Sequence, residues 1–131
     1  MAGTLVANTI NTDTGLFSTN NAYNGIAKAW AQFNGANGTI NGSFNISSIT
    51  RNSTGNYTVN FTTAMTNANY GVNVTQSPDS GGTTNGGAVT MFTSGGGTLV
   101  TPTTSAFRFV TFSLANNYFD ANWVSLSVFG A

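Results

Sequence analysis

Alternation of apolar and polar residues is the feature that most limits what this chain can fold into. In the clearest run, residues 56–62, the apolar residues Tyr57, Val59 and Phe61 alternate with polar ones. Successive side chains of a strand point to opposite faces of a sheet. The run therefore predicts a strand that is buried on one face and polar on the other.

Similar short runs recur along the chain at roughly ten-residue spacing, separated by turn-forming residues. They cover residues 26–33, 40–49, 57–62, 70–75, 88–93, 106–114 and 123–129. The turn at residues 51–55 predicts that 40–49 and 57–62 pair as an antiparallel hairpin, with Phe44 and Ile46 on one face. About seven or eight such strands predict an all-β, antiparallel β-sandwich of jelly-roll type.

The chain of 131 residues is within the size range of one domain. Residues 1–25 lack clear alternation, and we expect them to form an extended N-terminal arm or edge strand beside a sandwich domain at 26–131. The first residues lack the basic and apolar segments of a secretory signal. No stretch approaches the ~18 apolar residues of a membrane span. We therefore expect synthesis in a cytoplasm and no membrane partner.

Charged residues are scarce, and their formal net charge is zero. They are Lys28, Arg51, Arg108, Asp13, Asp79 and Asp120. Three scattered cations cannot neutralise many phosphates, so nucleic acid is not an expected partner. Zero net charge also gives a free monomer little protection against association. Either hydroxyl and amide groups keep the chain soluble, or an assembly hides its apolar surface.

Catalytic chemistry has few residues to draw on, because the chain contains no His, Cys or Glu. The usual general bases, thiol nucleophiles and zinc ligands are therefore missing. A carboxylate pair or a calcium site would have to come from the three Asp residues, which show no spaced acidic motif. We expect no enzyme activity, no cofactor and no metal.

The last two runs are apolar on both faces. In 106–114, Phe107 and Phe109 alternate against Val110, Phe112 and Leu114. In 123–129, Trp123 and Phe129 oppose Val124, Leu126 and Val128. Either both strands are central and covered by another element, or their second face is buried against a neighbouring copy.

The second alternative predicts a homo-oligomer, and we assign its candidate interface to Phe107, Phe109, Trp123 and Phe129. The predicted core then contains Val59, Phe61, Val72, Val74, Val110, Phe112, Leu126 and Val128.

Aromatic and polar residues also coincide in the loops 78–87 and 115–122. Tyr118, Phe119 and Asp120 are candidate glycan contacts, because sugar sites often combine an aromatic face with carboxylate, amide and hydroxyl groups. The alternative, which we favour, is that Tyr118 and Phe119 close the end of the sandwich core.

Several segments resemble a module that recurs in tail-fibre and other virion-surface proteins of tailed phages, including phages of cyanobacteria. The segments are 26–35 (IAKAWAQFNG), 43–49 (SFNISSI), 55–65 (GNYTVNFTTAM), 68–70 (ANY) and 124–130 (VSLSVFG). The resemblance covers roughly residues 26–75 and 120–130. The Gly-rich middle of the chain does not share it.

This resemblance implies a virion component made in the host cytoplasm, and specifically a homotrimer. The module usually ends longer fibre chains, whereas here it makes up nearly the whole chain. That departure favours a capsid decoration or cement subunit, whose partners are its own copies and the major capsid or tail proteins. The alternative is a receptor-binding tail-fibre tip or knob that recognises host surface glycan. A third hypothesis is an extracellular lectin-like or adhesin module unrelated to phages.

Overall fold

A computed structural model describes residues 3, 9–12, 15–18, 25–78, 87–94, 96, 98–113 and 117–130. The strands are β1 (Thr9–Thr12), β2 (Gly15–Ser18), β3 (Ala29–Phe33), β4 (Ile40–Phe44), β5 (Ile46–Ser53), β6 (Asn56–Phe61), β7 (Gly71–Gln76), β8 (Gly87–Met91), β9 (Ala106–Ser113) and β10 (Val124–Phe129). None of these ranges holds a helix that is long and apolar enough to cross a membrane.

Two four-stranded antiparallel sheets form the sandwich. One sheet has the strand order β4-β3-β10-β7, and the other has the order β5-β6-β9-β8. The predicted hairpin is present from Ile46 onward, because β5 pairs with β6 around the turn at Thr54 and Gly55. The prediction of an antiparallel β-sandwich is confirmed.

The core lies between the two sheets and is rich in aromatic rings. Tyr57 packs against Phe33 and Phe109, with ring centroids 5.4 and 5.3 Å apart. A second group joins Phe61 to Tyr70 at 5.5 Å. Tyr57, Val59 and Phe61 are all buried, as their alternation predicted. Fully burying one large apolar side chain contributes about 1.5–3 kcal/mol, so these rings dominate the stability of the sandwich.

Most of the predicted core positions are confirmed. Val59, Phe61, Val110, Leu126 and Val128 are buried. The two β7 valines, Val72 and Val74, are half-buried and pack against the core, and Phe112 is half-buried. Leu114 lies outside the described residues.

The predicted single strand 40–49 is wrong, because the chain changes sheets at Asn45. Its φ of 56° is in the left-handed region, which Asn adopts more readily than most residues. β4 therefore pairs with β3 in one sheet, while β5 pairs with β6 in the other. The break also separates Phe44, which is exposed, from Ile46, which is buried.

The predicted N-terminal arm contains a hairpin. β1 and β2 pair antiparallel, with Ile10 opposite Phe17. Among the described strands, this pair forms a two-stranded sheet of its own. The domain boundary at residue 25 stays a prediction.

Candidate functional site

Two exposed aromatic residues lie opposite each other on the outer face of the β4-β3-β10-β7 sheet. Trp30 on β3 is paired with Phe44 on β4, and their exposed fractions are 43% and 57%. Trp30 points outward because its neighbours Ala29 and Ala31 point into the core. Its ring packs over Gly42, where an added Cβ would lie 3.4 Å from the indole. At this edge of the outer face, the two rings thus present apolar area to solvent.

Beside this pair, an open groove of about 740 Å³ is lined by residues 26–28, 44–45 and 62–66. Its most apolar wall is formed by Phe44 and by Ile26, which is 61% exposed. Met65, by contrast, is buried beneath the groove. We call Ile26, Trp30, Phe44 and this groove the apolar surface.

Hydrogen bonds from Asn45 hold the groove in shape. Its side-chain Nδ2 donates to the carbonyl oxygens of Lys28 and Thr63, each at 3.1 Å. Its Oδ1 accepts from the backbone N–H of Thr63 at 2.7 Å, and its carbonyl accepts from that of Thr62. Asn45, which directly follows β4, therefore ties three segments of the chain together and holds the walls of the groove in place.

Phe107 and Phe109 do not contribute to a surface, and their assignment to an oligomer interface is corrected. They are 2% and 0% exposed and pack in the core against rings of the same chain. The opposite face of β9 is also covered by this chain at Val110, which is 2% exposed. For β9, the alternative of a central strand covered by another element is the correct one.

The other two predicted interface residues do lie at the surface. Trp123, immediately before β10, is 56% exposed, and Phe129 at the end of β10 is half-buried. Their participation in an interface stays a prediction.

A second cluster surrounds Asp120 and joins the loop before β10 to the β5–β6 hairpin. Asp120 Oδ1 accepts hydrogen bonds from the Tyr57 hydroxyl at 2.7 Å and from the Gly55 backbone N–H at 2.9 Å. Its Oδ2 accepts from Arg51 Nη2 at 2.6 Å. One carboxylate thus satisfies a buried hydroxyl and a buried backbone donor, while its bond to Arg51 lies nearer the surface.

The pKa values of this cluster follow from its geometry. Burial raises the pKa of Tyr57 well above its ordinary value, and the hydrogen bond to Asp120 raises it further. Burial opposes ionisation of Asp120, but the hydrogen bonds from Arg51, Gly55 and Tyr57 outweigh it and lower its pKa. The carboxylate is therefore held ionised as a structural anchor.

Two of the three candidate glycan contacts are corrected by these contacts. Phe119 is 8% exposed, so it closes the core as the favoured alternative predicted. The Asp120 oxygens are occupied by donors of the same chain. Tyr118 is 45% exposed and accepts a hydrogen bond from the Gly96 backbone N–H at 2.9 Å.

Tyr118 borders a small pocket of about 150 Å³, together with Ser53, Thr54, Asn56, Ser94 and Gly96. This pocket combines one aromatic ring with hydroxyl and amide groups. The predicted 78–87 loop lies mostly outside the described residues.

A carboxylate pair has no test within the described residues, because Asp120 is the one acidic side chain among them. Asp13 and Asp79 lie outside them. In the same ranges no group of three acidic, His or Cys residues comes together.

Sequence reasoning missed the apolar surface. Trp30 and Phe44 both occur in predicted strands, but the sequences of these strands do not show that the two residues lie opposite each other in the sheet. Ile26 has the same phase as Trp30 in the sequence alternation, and this phase was a usable signal.

Comparison with protein-family models, with curated proteins and with solved structures finds no match to this chain.

Proposed function

We propose that this protein is a non-catalytic structural subunit of a phage particle, which associates with copies of itself and decorates or cements the particle surface. The observation that carries the proposal is the apolar surface, exposed on a chain whose net charge is zero. Such surfaces on soluble proteins commonly mark sites of protein association. The resemblance of residues 26–75 to virion-surface modules supports the location.

The size of the apolar surface limits how strongly it can drive association. Burying the exposed parts of Ile26, Trp30 and Phe44 contributes about 1 kcal/mol each, since each is roughly half exposed and full burial contributes about 1.5–3 kcal/mol. The resulting ~3 kcal/mol per copy is below the estimated 4–15 kcal/mol cost of association. A stable homotrimer therefore needs contacts beyond these three residues, and Trp123 and Phe129 are further candidates.

Mass measurement under native conditions at micromolar concentration tests self-association. We expect the unaltered chain to be a trimer and Phe44→Asp to shift it toward monomer. Leu99→Asp is the matched control, because Leu99 is equally apolar and 75% exposed but lies outside the apolar surface. A monomeric unaltered chain would contradict the proposal.

Location on the particle needs a separate experiment. A cryo-EM map of the purified particle is expected to show density of this size on the shell. Density on the tail alone would instead favour the alternative function.

The second candidate function is a receptor-binding tip or knob for host surface glycan. The observation in its favour is exposed Tyr118 beside the hydroxyl and amide groups of its pocket. A glycan array is expected to give saturable binding that Tyr118→Ala abolishes. If the protein binds no glycan on the array but still binds to the phage particle, this candidate is rejected.

A further inference from the structure

We infer that the β1–β2 hairpin of one copy adds to the edge strand β4 of a neighbouring copy and places apolar side chains in its groove. The occupant of the apolar surface would then be a defined segment of a second copy. This inference deepens the proposed self-association and rests on it.

The hairpin forms a small sheet of its own. Each of its strands has four residues, and among the described strands it is paired with neither four-stranded sheet. An isolated two-stranded hairpin is marginally stable at best in water, and a third strand or a packed face is needed to hold it. The segment also carries the apolar residues Ile10, Leu16 and Phe17. A hairpin with this composition needs a sheet edge and an apolar site.

Strand β4 offers such an edge. It stands at the end of its sheet and pairs with β3 alone, so the backbone groups along its other side meet no strand of either described sheet. Its sequence, INGSF, has neither a charged residue nor Pro. Charges, Pro and bulges are the usual means of keeping an edge from pairing with other strands. The pairing of β4 with β3 contains one register irregularity, between Gln32 and Phe33, whereas the edge strand β5 carries Arg51 and two such irregularities.

The groove adjoins this edge, because Phe44 is both the last residue of β4 and part of the groove wall. An added strand would therefore make backbone hydrogen bonds along β4 and place side chains in the groove, which is how strand addition combines affinity with specificity. The β1 and β2 sequences, TINT and GLFS, contain no charge that would oppose entry.

The connection between hairpin and sandwich fits exchange between adjacent copies. Residues 19–24 join Ser18 to Gly25, next to Ile26 in the groove wall. Six extended residues reach about 20 Å, so the hairpin can extend to an abutting copy but not to a distant one. Exchange of an identical segment between copies is a low-cost route to a homo-oligomer. It also supplies the contacts that Ile26, Trp30 and Phe44 alone do not.

Disulfide trapping in the full chain tests this directly, because the protein has no native Cys. Two single-Cys variants, Ser18→Cys in the hairpin and Thr63→Cys in the groove wall, are prepared with tags of different mass, mixed and oxidised. We expect a cross-linked heterodimer on a denaturing gel. Ser18→Cys mixed with Asn122→Cys is the control, since Asn122 is exposed but lies outside the groove. That pair is expected to give at most a tenth of the cross-linked product.

The outcomes separate this inference from the proposed function. A third variant carries both Ser18→Cys and Thr63→Cys in one chain. If a disulfide forms within this chain but not between the two single-Cys variants, the hairpin occupies the groove of its own copy, and the inference is overturned. A native trimer without any hairpin-to-groove link would overturn it and leave the proposed function standing. A native monomer would overturn both.

A hairpin variant gives a second, independent readout. Ile10→Asp in the full chain is expected to weaken self-association at least tenfold while leaving the circular dichroism of the sandwich unchanged. Undiminished association of this variant would contradict the inference.

Discussion

Asp120→Ala is expected to destabilise the sandwich strongly, because it leaves two buried donors without an acceptor. The Tyr57 hydroxyl and the Gly55 backbone N–H both donate to Asp120 Oδ1, at 2.7 and 2.9 Å, and both residues are buried. Each unsatisfied buried donor costs about 1–3 kcal/mol, so the free energy of unfolding should fall by about 2–6 kcal/mol. For a domain of this size, that corresponds to a decrease in Tm of roughly 7–22 °C.

Asp120→Asn is the matched control, because it keeps an oxygen where Oδ1 lies and removes the negative charge. Its main loss is the ion pair with Arg51, and ion pairs near the surface contribute little. We therefore expect Asp120→Asn to be much less destabilising than Asp120→Ala in urea unfolding followed by circular dichroism. Equal losses in the two variants would refute the reasoning, since the charge rather than the buried donors would then dominate. An unchanged urea midpoint for Asp120→Ala would refute it as well.

Three further predictions follow from the same structure. The pKa of Asp120 is lowered in the folded state, so the stability that its carboxylate contributes is complete above the ordinary carboxyl pKa and is lost as the pH falls through the folded value. The decrease in urea midpoint from pH 7 to pH 3 should therefore be larger for the unaltered chain than for Asp120→Asn. Gly55→Ala should cost about 1–3 kcal/mol more than Gly38→Ala, which is the typical penalty of overpacking. Both glycines have positive φ, but of the two only Gly55 would place a Cβ 2.5 Å from a carbonyl oxygen. Similar Tm values for the two variants would contradict this. Phe109→Ala should lower the free energy of unfolding by about 3–5 kcal/mol, whereas Phe44→Ala should change that of the monomer by less than about 0.5 kcal/mol. Urea unfolding at low protein concentration measures both, and a small effect of Phe109→Ala would contradict the position of Phe109 in the core.

The parts of the fold that were predictable are those that depend on neighbours in sequence. Alternation at Tyr57, Val59 and Phe61 identified an inward face, because burial of one side of a strand leaves that period in the sequence. The turn at Gly55 predicted the hairpin for the same local reason.

The errors arose where contacts between distant residues decide the outcome. Phe107 and Phe109 were assigned to the surface because β9 is apolar on both faces, and its sequence does not say which face meets the other sheet. Val110, on the other face of the same strand, is also buried, so the burial of one face did not exclude the burial of the other. Asn45 is likewise one Asn among many, and its role as a sheet junction follows from its bonds to Lys28 and Thr63.

Both indole side chains of this protein lie at its periphery, Trp30 on the outer sheet face and Trp123 before the last strand. The core, by contrast, contains Phe and Tyr rings. Emission from the folded, dissociated chain should therefore resemble that of a solvated fluorophore and shift little on denaturation. A blue shift would instead accompany contact between subunits, so the intrinsic fluorescence of this chain reports assembly rather than folding.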